Sequence, residues 1–166
     1  MPEYQWALEN GEIISADYNR ATDSLSGEQV RHELLSAFQQ FGHRASCEPV
    51  SAAMSEVYAV TIEGETPNSA IVCAKGTTPG GRANLNDEQR VQQKSKYINY
   101  AYRQEQAGCL AVHLGVYKRD NQTIFCAWRL KLSTAADDTP ISRQIKITTI
   151  AKAMKEGFAQ QDKGGG

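Results

Sequence analysis

Between residues 75 and 131, basic, amide and aromatic side chains are interleaved. Lys75, Arg82, Arg90, Lys94, Lys96, Arg103, Lys118, Arg119, Arg129 and Lys131 alternate with Gln89, Gln92, Gln93 and Asn99, and with Tyr97, Tyr100, Tyr102, Tyr117 and Trp128. Cationic side chains neutralise phosphates, carboxamides and arginine read base edges through paired hydrogen bonds, and aromatic rings stack on an exposed base. On that chemistry Lys75, Arg82, Arg90, Lys94, Lys96, Arg103 and Lys118 are expected at phosphates. Gln92, Asn99 and Arg129 are expected at bases, and Tyr97 or Trp128 against a flipped base.

A second kind of chemistry is suggested by Cys73-Ala74-Lys75, at the end of an apolar run. Nucleases that use a divalent metal need two or three carboxylates around it, and in the common restriction-nuclease core a strand ends in Asp or Glu, any residue, then Lys. Cysteine, a poor magnesium ligand, stands in the acidic position here. A nuclease built on this segment is therefore irregular, drawing on Glu63, Lys75 and Glu88 with Mg as cofactor. On the preferred, non-catalytic reading no cofactor and no metal is expected.

Other reactions lack their patterns. The loop Gly76-Thr77-Thr78-Pro79-Gly80-Gly81-Arg82 has neither the P-loop nor the dinucleotide glycine spacing, and Pro79 removes a donor. His32, His43 and His113 have no metal-ligand spacing, and His113 reads as a structural histidine in an apolar strand. Cys47, Cys73, Cys109 and Cys126 contain no CxxC pair, and no serine sits in a nucleophile elbow.

The elements that must position these residues follow from periodicity. Tyr4 to Ile14, with Asn10-Gly11 inside, predicts a peripheral hairpin. Ser26 and Gln29 make a capping box ahead of Val30, Leu34, Ala37, Phe38 and Phe41, a helix over 27–41 closed by Gly42. Residues 57–62 and 70–74 read as an antiparallel strand pair joined by a turn over 63–68. Asn86 to Gln89 read as the cap of a second helix over 87–106, placing Gln92, Lys96, Asn99 and Arg103 on one polar face. Residues 109–117 and 123–130 read as a hairpin, 145–147 as a short strand, and 148–161 as a last helix with Ile150, Ala153, Met154 and Phe158 inward. The fold class expected is α+β, a mixed, mainly antiparallel sheet of four to six strands with about three helices. One domain over 1–163 is expected, with Gly164-Gly165-Gly166 an untethered, disordered tail.

Composition bounds the class of protein. The chain has 166 residues, 18 Lys plus Arg against 19 Asp plus Glu, and is 40% hydrophobic, the make-up of an ordinary globular domain. No apolar run reaches membrane-spanning length and no signal-peptide order opens the chain, so a cytoplasmic protein with no membrane partner is expected. The net charge of −1 conceals an asymmetry. Residues 1–66 hold 3 basic and 11 acidic side chains, and residues 67–131 hold 10 and 4. A +6 segment attracts polyanions if its charges share a face.

The sequence Gly80-Gly81-Arg82, Asp87-Glu88-Gln89-Arg90-Val91-Gln92, Leu114-Gly115-Val116-Tyr117, Ile124-Phe125-Cys126-Ala127-Trp128, Ser142-Arg143-Gln144-Ile145 and Ala153 to Ala159 resembles accessory domains of restriction endonuclease systems, over about residues 70–160. The resemblance implies a defence-system module that recognises sequence or base modification in double-stranded DNA. Cleavage would then belong to a partner nuclease domain or subunit. The rival readings are the metal-dependent endonuclease and a protein-interaction subunit, in which the acidic third mates with the basic third of a homodimer partner or another protein.

Overall fold

Antiparallel pairing begins at the N-terminus, where β1 (Tyr4–Ala7) turns back on β2 (Ile13–Ala16). The turn needs Gly11: φ is +83°, and a Cβ there would lie 3.0 Å from the Ala151 carbonyl oxygen. The hairpin is present but not peripheral. Trp6 and Ala7 are 3% and 0% exposed, and Tyr117 Oη both accepts from Ala7 N and donates to Ala7 O, each at 2.8 Å. The computed structural model describes residues 3–64, 68–80 and 84–162. Arg82, part of the turn over 63–68 and the glycine tail lie outside them.

After the short helix α1 (Arg20–Asp23), α2 (Gly27–Gln40) starts at the predicted capping box, with Ser26 and Gln29 each bonding the other's backbone. It lays Val30 and Leu34 on a five-stranded sheet of order β3 (Ala45–Pro49), β4 (Val57–Ile62), β5 (Asn68–Gly76), β8 (Leu110–Arg119) and β9 (Gln122–Trp128). Neighbours are antiparallel except β5 and β8, which run parallel. Their crossover contains α3 (Ser95–Gln106), which packs Tyr97, Ile98 and Ala101 on Val57 and Cys73. The predicted pairs 57–62 with 70–74 and 109–117 with 123–130 are both formed, the second closing through Asp120 at φ +55°.

The expected helix over 87–106 is half strand. β7 (Glu88–Lys94) is central in a second sheet of order β10 (Pro140–Lys146), β7, β6 (Thr78–Pro79), and the helix begins only at Ser95. Along β7, Gln89, Val91 and Gln93 alternate inward, each 1% exposed. Two of these three inward side chains are glutamines, so the period of two leaves no trace in hydrophobicity.

The last helix, α4 (Ile147–Glu156), buries Ile150, Ala153 and Met154 as expected, but Gly157 in the left-handed region ends it and leaves Phe158 75% exposed. With α2 and α3 it makes three helices of at least ten residues, so the α+β class and the mixed five-stranded sheet agree with the expectation. Among the described residues no helix is long and apolar enough to cross a membrane.

Candidate nucleic-acid interface

The register of β7 against β10 sorts the polar residues by side. Gln92 pairs with Ser142 and Arg90 with Gln144, and side chains of paired residues leave a sheet on the same face. Arg90, Gln92 and Lys94 therefore stand with Ser142 and Gln144 on the face opposite the buried Gln89, Val91 and Gln93. Gln92, Lys94 and Gln144 are exposed, and Arg90 and Ser142 half-buried. Neither Ser142 nor Gln144 was expected from the sequence, because no periodicity in 133–146 says which strand lies beside them.

Cations flank this ribbon. Lys75 reaches it from β5, its Nζ donating to Gln92 O at 2.9 Å and lying 3.7 Å from Glu56. Asp138 holds Lys94 at 3.4 Å and Lys96 at 3.1 Å, which raises the Lys96 pKa and lowers that of Asp138. Lys146 is tied to Asp87 and Glu88.

Other expected contacts are spent on the fold. Tyr97 and Asn99 are each 6% exposed. The Asn99 carboxamide donates to Ser133 O and accepts from Ser133 N, pinning the polar stretch after β9. Burial takes both residues out of the interface. Lys118 is bound 2.5 Å from Glu33 under α2, on the far face of the five-stranded sheet. Arg103 is exposed on α3 and Arg129 at the end of β9, both apart from the ribbon's row. Trp128 is half-buried, its indole N–H on Gln144 O at 3.3 Å and its ring 5.6 Å from that of His113.

The residues of the irregular nuclease do not assemble. Glu63 follows the end of β4 that pairs with the start of β5, whereas Lys75 is at the other end of β5. Glu88 is four residues along β7 from the Lys75 contact and bound to Lys146. The carboxylate beside Lys75 is Glu56, which precedes β4 and which sequence spacing gave no reason to choose. Among the described residues no three His, Cys, Asp or Glu side chains form a group able to hold a metal.

Between the two sheets is a polar contact. His113, 0% exposed, meets Gln93 Oε1 through Nε2 at 2.6 Å, and burial together with the charge of Arg143 lowers its pKa to about 4. Burial also raises the Cys73 thiol to about 12, so it is no thiolate nucleophile at neutral pH.

A model of the Methylase-associated X1 family matches residues 68–166. The chain belongs to that family. The matched part of this Methylase-associated X1 chain runs from β5 to the C-terminus and contains the whole ribbon with its partners Lys75, Trp128 and Gln144. The family's name ties it to methylases, the setting of restriction and modification. No curated protein and no solved structure matches the chain.

Proposed function

We propose that this chain is a DNA-recognition module of a restriction–modification system, reading sequence or base modification in duplex DNA through the outer face of β7 and β10. One observation carries the reading: an antiparallel pair presents arginine, glutamine, lysine, serine and glutamine in register on one solvent face. Past the two-residue β6, which pairs only with Gln89 and Arg90, β7 and β10 form a two-stranded ribbon of the kind the major groove admits, and glutamine and arginine there form the paired hydrogen bonds that separate adenine and guanine from the other bases. Lys75, Lys94 and Lys96 at its border supply phosphate contacts.

Fluorescence anisotropy tests this with short duplexes, unmodified and carrying methylated adenine or cytosine, at two salt concentrations. One duplex class is expected to bind best, with weaker binding at high salt. Gln92→Ala is expected to cost about 1–3 kcal/mol on that class and less on the others. Absence of binding at low salt would instead favour the protein-interaction reading.

Glu56 beside Lys75, next to Cys73 on a central strand, is the observation that favours the metal-dependent nuclease. One carboxylate falls short of the two or three that metal chemistry needs. Magnesium-dependent cutting abolished by Lys75→Ala would establish that reading.

A further inference from the structure

The edges of β9 and β10 enclose a groove of about 950 Å³, and its walls do not match those of a buried core. Trp128, Arg129, Arg143 and Gln144 line it, with Phe41 from the end of α2 and Phe158 from beyond α4. Phe41 and Phe158 are 79% and 75% exposed, the largest exposures among the big apolar side chains described, and both lie on this one groove. Leaving two phenylalanines in water forgoes the gain of burying them, and such a patch beside arginines marks a binding surface.

Aromatic faces next to guanidinium groups fit one ligand chemistry well: a planar, uncharged base attached to a phosphate. The volume exceeds what a single nucleotide needs and falls in the usual range for ligand pockets. Gln144 supplies the link to the ribbon. It pairs with Arg90 on the outer face, lines the groove, and its carbonyl holds the indole of Trp128. The outer face of the ribbon and the wall of the groove therefore meet along β10, at Gln144.

We infer that the β9–β10 groove receives one nucleotide turned out of the bound duplex, its base against Trp128 and Phe158 and its phosphate at Arg129. The inference rests on the duplex-binding reading and adds the place where a modified base is inspected. Extruding a base costs least where it is mispaired, so an extruding protein prefers a mismatch.

The test is the ratio of dissociation constants for a matched duplex and the same duplex with one mismatched pair, measured by anisotropy. For the wild-type chain the mismatch is expected to bind about tenfold tighter. In Phe41→Ala/Phe158→Ala, whose side chains are exposed and dispensable to the core, the ratio is expected to fall to about one. In Gln92→Ala both constants should rise with the ratio kept. Equal affinity of the wild type for the two duplexes overturns the inference and leaves duplex recognition standing. A preference that survives in the double variant reports bendable DNA and overturns it as well. Failure of the wild type to bind either duplex overturns duplex recognition, and the groove assignment with it.

Discussion

His113 shows how one buried side chain couples the two sheets to pH. Unfolded, its imidazole takes up a proton near pH 6.5; folded, burial and Arg143 hold that step down to about 4. The unfolded chain therefore binds more protons between these values. Stability is full above pH 6.5 and falls as pH drops toward 4, by up to roughly 3 kcal/mol from this group. His113→Gln is expected to be less stable at pH 7 yet to lose that part of the slope, as urea unfolding at pH 7, 5.5 and 4.5 would show. An unaltered slope would remove His113 as its source. Tyr117 acts at the same scale, its hydroxyl being the partner of both Ala7 backbone groups. Tyr117→Phe leaves those groups unpaired in the core, at a cost of about 1–3 kcal/mol in thermal or denaturant unfolding.

At the scale of elements, β7 draws its position from what covers it. Gly115 leaves room for the Trp128 ring of the neighbouring strand and for Thr77, the residue that leads from β5 into the second sheet: a Cβ there would lie 2.9 Å from the Trp128 ring and 3.0 Å from Thr77. Gly115→Ala is expected to cost about 1–3 kcal/mol, measured by urea denaturation, because tryptophan at a sheet contact has little room to yield. The stretch after β9 matters through Asp138, which holds Lys94 and Lys96 at the ribbon's border. Asp138→Asn frees both ammonium groups, so duplex binding should tighten several-fold and its salt dependence steepen, read by anisotropy at two salt concentrations. Weaker binding in that variant would mean that the carboxylate positions the lysines.

For the whole molecule, the +6 of residues 67–131 is smaller in effect than in count. Lys75, Lys94, Lys96, Lys118 and Arg119 each face a carboxylate within 4 Å, whereas Arg90, Arg103, Arg129 and Lys131 have no ion pair among the described residues. The acidic first third supplies three of those partners, Asp23, Glu33 and Glu56. With phosphate contacts confined to Lys75, Lys94 and Lys96 at the ribbon's border and Arg129 at the groove, a slope of log affinity against log salt near −4 is expected, well short of about −9 for ten contacts. A titration from low to moderate salt decides between the two values.

Local signals fixed what local physics controls. The Ser26 capping box, the Asn10-Gly11 turn and the apolar, β-rich runs of β4, β5, β8 and β9 act over a few residues, and each is legible. The resemblance over 70–160 agrees with the family match over 68–166 as far as a methylase-associated setting. What escaped was decided across the chain. Gln89 and Gln93 are polar and buried, so β7 passed for a helix start, and with it the face of Gln92 was assigned wrongly. Asn99 and Lys118 looked like free polar groups until Ser133 and Glu33, 34 and 85 residues distant, were found to hold them. Glu56 reached Lys75, and Ser142 and Gln144 reached Arg90 and Gln92, only because strands pair across distant sequence. Side-chain type and spacing determine the elements whose buried face is apolar and the chemistry a protein owns. Which of those side chains face water, and beside what, is set by the burial and pairing of residues far apart in the chain.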